Sequence, residues 1–267
     1  MLTNRDIKNL YDKYEVSASK RFGQNFLINQ KVLEDIIEVS KCKGKDVLEI
    51  GPGLGSLTHY LLKEAKTVES YEIDREMIRV LNGEIDDSKF KLVEGDFLKT
   101  EFDFKEKKTV VANIPYYITS DILFKIFDNS DKFERATLMI QKEVAERLEA
   151  KVGSKQYNKL TLTAKLYTKN LKLEFVVKPE SFMPSPKVDS AIITFDLSEP
   201  REDHKEIALF FKKCFVQRRK TLYNNLKLFV DPERSKQVIE ELGFKESIRP
   251  QEVSFDDFIK LYELTRK

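Results

Sequence analysis

The sequence predicts an α/β protein: a Rossmann-like, mostly parallel seven-stranded sheet with helices on both faces, followed by a small α-helical C-terminal domain. Three observations carry this. Short apolar, β-branched runs alternate with helical patterns through the first two-thirds of the chain. A glycine-rich turn directly follows the first of these runs. After Glu199-Pro200 the pattern turns helical and stays so. A length of 267 residues suits one main domain with a smaller appendage.

In order, the strand-like runs are 46–50, 67–73, 90–94, 110–113 and 136–140, with helical stretches such as 56–64, 75–81 and 120–127 between them. Strand-helix alternation of this kind requires crossover connections and therefore a parallel sheet. Two further runs, 171–177 and 190–197, are separated only by the proline-containing segment 179–188, so they read as an antiparallel pair ending the sheet. In the helical tail Gly243 and Pro250 are breaks. A boundary near 198–203 divides the chain into a main α/β domain, 1–198, and a small helical domain, 199–267, with residues 1–20 expected to form a flexible extension. There are no internal repeats or low-complexity segments.

Composition removes several classes. Hydrophobic residues make up 41%, enough for a substantial core, yet no run approaches the length a membrane span needs. The first residues, Met1-Leu2-Thr3-Asn4-Arg5-Asp6, lack the apolar core of a signal peptide. Cys42 and Cys214 are far apart, which argues against a disulfide framework and for a cytoplasmic protein. His59 and His204 have no close-spaced ligand partners, so no metal site is expected, and a P-loop is absent. The formal net charge of +2 says little, but its distribution says more. Residues 150–173 hold six lysines and 207–230 hold six basic residues, and neither stretch contains an acid, although the chain has 45 acidic residues. Two such stretches suit a phosphate-facing surface; the bland alternative is a pair of solvated helix faces.

The first strand ends in Glu49-Ile50-Gly51-Pro52-Gly53-Leu54-Gly55 and runs directly into a helix. Glycines at such a turn let a ligand approach the backbone and leave helix N-terminal amides pointing at it. The loop alone is a weak signal, because nicotinamide and flavin enzymes use one too. The acids around it narrow the reading. Glu49 precedes the glycines, where it can serve the cationic amino end of a ligand. Glu72, followed by Ile73, closes the second strand, where a carboxylate can accept both hydroxyls of a ribose. Asp96 closes the third beside Phe97, a pair suited to an adenine amine and its ring face. Each has a plain alternative: a tight turn at Gly51 and Gly53, a solvated acid at Glu72, a cap at Asp96. All of them stand at the carboxyl ends of successive parallel strands, where open α/β sheets bind ligands.

The fourth strand ends in Asn113-Ile114-Pro115-Tyr116. An exocyclic adenine amine is a poor nucleophile because its lone pair is delocalised into the ring. An Asn carbonyl and a backbone carbonyl beside a proline can accept the two amine protons and turn that lone pair towards a sulfonium methyl. Pro115 fixes its own φ and restricts Ile114, so the turn is rigid. Tyr116 offers a face for an extruded base, a contact worth roughly 1–3 kcal/mol. Phe182, in Ser181-Phe182-Met183-Pro184-Ser185-Pro186-Lys187, is the candidate for the opposite face of the base, with a plain core phenylalanine as the alternative.

Together these segments resemble the ribosomal RNA adenine-N6 dimethyltransferase family, in its KsgA-type small-subunit branch. Arg21-Phe22-Gly23-Gln24-Asn25-Phe26-Leu27 is similar to the family's N-terminal cofactor motif, Glu49 to Gly55 to its glycine loop, Glu72-Ile73-Asp74 to its ribose acid, Gly95-Asp96 to its adenine contact and Asn113 to Tyr116 to its catalytic motif. Gln141 to Leu148, Gly153-Ser154-Lys155 with Tyr157, Pro186-Lys187-Val188-Asp189-Ser190 and Gln217-Arg218-Arg219-Lys220-Thr221-Leu222 continue the match, which runs from about residue 20 to residue 226. The resemblance implies the fold of class I methyltransferases and S-adenosylmethionine as cofactor, with S-adenosylhomocysteine as product. It implies contacts to that cofactor from Asn25, Leu27, Gly51, Glu72, Asp96 and Asn113, joined by Gly53, Ile73 and Phe97 from the reading above. The implied reaction places two methyls on each of two adjacent adenosines near the 3′ end of 16S rRNA, within the 30S subunit or its precursor. Arg218, Arg219, Lys220, Lys155 and Lys187 are the expected RNA contacts, and a monomer with no membrane partner is expected. Departures are mild: Ile114 stands where leucine is more usual, Asn158 where glycine is frequent, and Tyr117 where asparagine is frequent, which bears on how the base is held.

Three alternatives share parts of this pattern. An Erm-like 23S rRNA adenine-N6 methyltransferase has the same glycine loop and an Asn-Ile-Pro-Tyr-like motif, but not the 153–157 and 217–222 blocks. A non-catalytic RNA-binding assembly factor is disfavoured by the intact Asn113, Tyr116 and Glu72. A DNA adenine methyltransferase is disfavoured by a tail without a sequence-reading module.

Overall fold

The computed structural model describes residues 3–19, 23–199 and 201–266. Arg21 and Phe22 of the N-terminal motif and Pro200 at the expected boundary lie outside the described residues. The chain opens with α1 (Asn4–Tyr14), β1 (Phe26–Leu27) and α2 (Gln30–Ser40). An alternation follows: β2 (Asp46–Ile50), α3 (Thr58–Glu64), β3 (Thr67–Glu72), α4 (Arg75–Glu84), β4 (Phe90–Glu94), β5 (Lys108–Asn113), α5 (Thr119–Asp128) and β6 (Phe133–Gln141). Next come α6 (Lys142–Leu148), α7 (Lys159–Tyr167), β7 (Thr168–Val177), β8 (Phe182–Met183) and β9 (Ser190–Leu197). The tail holds α8 (His204–Cys214), α9 (Leu222–Leu226), α10 (Pro232–Glu241) and α11 (Phe255–Thr265).

The seven-stranded sheet has the order β4-β3-β2-β5-β6-β9-β7. Strands β2 to β6 pair in parallel and β9 runs antiparallel to β6. Val47, Leu48, Val110, Val111 and Ala112 are buried, the near-continuous apolar runs of strands covered on both faces. Leu33 and Ile36 of α2 and Leu61 of α3 pack with Val47, Val68, Val111 and Met139 of the sheet. Strand order reverses between β2 and β5, and the crevice outside the carboxyl ends at such a switch point is where these sheets bind ligands.

Within the expected flexible extension, residues 4–14 form the docked helix α1, while Met1, Leu2 and Lys20 lie outside the described residues. Thr3 caps α1 with Asp6 in a capping box, and Ile7 and Leu10 are buried with Phe26, Leu54, Met77 and Val80. Lys13 and Tyr14 both bond Glu84 Oε1, at 2.6 and 2.7 Å. The domain division differs too. One compact unit is Met1–Ala145 with Lys169–Ser198; the other is Glu146–Thr168 with Glu199–Lys267. Residues 146–168 belong with the tail because their backbone is bonded there: Gly153 N–H donates to Gln251 O (2.7 Å), and Arg218 donates to Lys155 O (2.6 Å). Within that second unit Phe211 and Phe258 stack edge-on at 5.6 Å, and Tyr157, Leu222 and Leu226 are fully buried.

Candidate active site

The first unit contains a cavity walled by the strand ends and by residues 23–27. Its glycine loop has the backbone the sequence asked for. Gly51 and Gly53 lie at φ of 64° and 58°, in the left-handed region that side chains disfavour. At Gly53 a Cβ would also stand 2.9 Å from the Phe26 ring, so β1 seals the loop from behind. Glu72 organises the same turn: Oε2 accepts from Gly53 N–H (3.1 Å), and Oε1 from Ile73 N–H (2.8 Å) and Asp74 N–H (2.9 Å). Burial raises its pKa, and these three donors oppose the rise.

Glu49 is 1% exposed and lines the cavity. Its Oε2 accepts from Ser70 Oγ (2.7 Å) and Thr58 Oγ1 (2.8 Å). Burial nevertheless pushes its pKa up to about 7, with the nearby Glu72 adding to the rise. Asp96 does act as a cap, accepting from Leu98 N–H at 3.0 Å, and it also lines the cavity; its other oxygen faces Lys99 Nζ at 3.9 Å. Phe97 is buried against Tyr71, edge-on at 6.0 Å, at the wall.

At the end of β5 the Asn113 amide is fixed by the N-terminal segment. Asn113 Nδ2 donates to Asn25 O (3.1 Å), and Asn25 Nδ2 donates to Gly23 O (3.0 Å). With one Nδ2 hydrogen committed to Asn25 O, the amide is oriented and its Oδ1 remains an acceptor. The turn behind it is rigid: Ile114 N–H donates to Met139 O (3.1 Å), and Thr119 Oγ1 donates to the Pro115 and Tyr116 carbonyls (3.3 and 3.2 Å). The Tyr116 hydroxyl shares a 2.6 Å hydrogen bond with Ser190 Oγ. Gln24 closes the N-terminal side, donating from Nε2 to Asp74 Oδ2 (2.7 Å).

The structure thus brings Asn25, Leu27, Gly51, Gly53, Glu72, Ile73, Asp96, Phe97, Asn113, Pro115 and Tyr116 to one cavity. Phe182 is not there. It is 4% exposed, paired with Leu27 across β1 and β8, and packed with Val111, Met139 and Ile192 in the core. Its expected place opposite Tyr116 is corrected on that ground: the side chain fills the space beneath the β1–β8 strap. An exposed aromatic at the cavity is Tyr117, 59% exposed, whose ring lies 3.4 Å from where a Cβ on Gly23 would stand. Its adjacency to the turn was the visible signal. Ser190 and Gln24 were inside quoted motifs, but nothing in a linear pattern gives their partners. Of the expected RNA contacts, Lys187 is exposed in the first unit, and Lys155, Arg218, Arg219 and Lys220 are exposed in the second.

The family model for "Ribosomal RNA adenine dimethylase" matches residues 16–267. "Ribosomal RNA small subunit methyltransferase A" of Mesomycoplasma hyopneumoniae strain 232 is 46% identical over 245 residues, covering 91% of this chain and 94% of that protein. The protein of that name from Lactobacillus acidophilus is 40% identical over 275 residues, covering 95% and 93%. Among solved structures, a dimethyladenosine transferase from Plasmodium falciparum superposes with TM-score 0.74 at 32% identity, over 90% of this chain and 98% of that one. The 23S rRNA methyltransferase ErmE gives 0.68 at 27%, over 91% and 100%.

Proposed function

Because the chain belongs to the ribosomal RNA adenine dimethylase family, we propose that it transfers methyl groups from S-adenosylmethionine to the N6 amines of two adjacent adenosines near the 3′ end of 16S rRNA, in the cytoplasmic 30S particle or its precursor, acting as a monomer. The observation that carries the chemistry is the Asn113 amide, held by Asn25 so that Oδ1 is left to accept. The cavity fits the methyl donor: backbone approach is open at Gly51, and buried carboxylates stand at the ends of β2 and β3. Glu49 would hold the donor's ammonium, Glu72 its ribose hydroxyls, and Asp96 with Phe97 its adenine. The donor supplies an electrophilic sulfonium methyl.

The chain's own part is orientation. Asn113 Oδ1 and the Ile114 carbonyl accept the two N6 protons and direct the lone pair along the line of transfer. Tyr116 stacks on the base. Near-attack positioning of this kind lowers the barrier, and fixed dipoles that need no reorganisation lower it further. No titrating base is needed, since the proton leaves after transfer. Relatives named for the small subunit at 40–46% identity, against 27% for ErmE, favour 16S over 23S rRNA as substrate. Incubation with labelled donor, undermethylated 30S particles and naked 23S rRNA tests this; label in 23S rRNA alone overturns it. Asn113→Ala is expected to abolish transfer while donor affinity stays within about tenfold, the pattern of an interaction used in the transition state.

A further inference from the structure

The segment Pro186-Lys187-Val188-Asp189-Ser190 leads into β9 and ends at a hydroxyl bonded to the catalytic turn. We infer that Ser190 is a positioning residue for the methyl transfer, pinning the far end of the Tyr116 ring where its face receives the target base. The inference rests on the proposed role of Tyr116 as the stacking face.

The hydroxyls of Tyr116 and Ser190 are 2.6 Å apart, and either can donate. Ser190 is fully buried and opens β9, in register with Gln141 of β6. The residue before it is fixed as well: Asp189 O accepts from Lys142 N–H (3.0 Å), and Asp189 Oδ2 pairs with Lys178 Nζ (2.8 Å). Ser190 therefore stands on a sheet framework with no freedom of its own. Tyr116 differs, because it sits in a three-residue 3-10 turn after β5, and its ring is held at one end by the backbone. Without a bond at the far end, swing of the ring about χ1 is opposed only by packing, and a phenol at a cavity wall has little of that on the open side. The Ser190 hydroxyl supplies the second point of attachment. Two points fix the long axis of the ring, and the place of that axis sets where a base stacks on its face. The same bond satisfies a half-buried phenol whose pKa is raised by burial.

The test is a double-mutant cycle on transfer to undermethylated 30S particles. Ser190→Ala and Tyr116→Phe each remove the bond from one side while leaving the tyrosine-class ring in place. Each is expected to lower kcat about fivefold, the rate equivalent of one net hydrogen bond, with KM for RNA and donor affinity within about twofold. The double variant is expected to be no slower than either single one, because both delete the same interaction. Losses that multiply, or Ser190→Ala at the wild-type rate, overturn the inference. If Ser190→Ala does not fold, the Tyr116→Phe rate decides alone: a wild-type rate overturns it. A readout without RNA separates this from the choice of substrate. The χ1 rotamer population of Tyr116, read from side-chain three-bond NMR couplings, is expected to spread in Ser190→Ala, and an unchanged population sinks the inference whichever RNA is methylated.

Discussion

Glu49 holds two opposed demands in one side chain. Its carboxylate is buried, and burial pushes its pKa up to about 7 despite the hydroxyls of Ser70 and Thr58 on Oε2. A raised carboxylate pKa means that the fold prefers the protonated form. The stability this gives is fully present below the ordinary carboxylate range and is lost as pH rises through about 7. A cationic ligand demands the opposite charge. Donor affinity is therefore expected to fall as pH drops through about 7, measured by calorimetry between pH 5.5 and 8.5 as rough limits of the titration. Glu49→Gln keeps an oxygen for Ser70 and Thr58 but cannot ionise. It is expected to raise the melting temperature at alkaline pH more than at acid pH, and to weaken donor binding at alkaline pH. Unchanged affinity in that variant removes Glu49 from the ammonium contact. Such trades of stability for function are usual where a binding site buries charge.

Among the elements, the two-residue strap of β1 on β8 shows where a linear pattern runs out. The parallel strands were legible as short runs rich in apolar and β-branched residues, and three of them end at or just before a candidate site residue: β2 before Gly51, β3 at Glu72, β5 at Asn113. Period-2 alternation cannot be recognised in two residues, so β1 and β8 were invisible, and the strap is what draws Phe182 into the core. Likewise α1 carries a Thr3–Asp6 cap signature, yet its docking on α4 is a tertiary choice. The grouping of 146–168 with the tail is another, since helices α7 and α8 find each other across a long stretch of sequence. Phe182→Ala is expected to cost about 3–5 kcal/mol, the usual range for emptying a buried aromatic site, seen as a lower denaturation midpoint. Tyr117→Ala, at an exposed ring on the cavity rim, is expected to leave that midpoint within about 0.5 kcal/mol and to raise KM for RNA. A Phe182 variant with wild-type stability and no transfer would restore its place beside the base.

For the whole molecule, a net charge of +2 predicts little, and the placement of the charges decides what the chain does with RNA. The Gln217-to-Leu222 block divides by structure into two kinds of base. Arg218 spends its guanidinium on the Lys155 carbonyl at 2.6 Å, with Tyr157 O at 3.5 Å, so it staples the loop around the buried Tyr157 to the tail within one unit. Arg219 and Lys220 are exposed, and no described acid pairs with either. Counterion release makes the two kinds separable. Each lost phosphate contact reduces the magnitude of the slope of log K against log salt by roughly one, whereas loss of a staple lowers stability. Arg219→Ala with Lys220→Ala is expected to flatten the slope of 30S binding by about one to two units at an unchanged melting temperature. Arg218→Ala is expected to lower the melting temperature first. An unchanged slope in the Arg219–Lys220 variant moves the block from RNA contact to support of the fold, and leaves the phosphate-facing role to the lysines of 150–173.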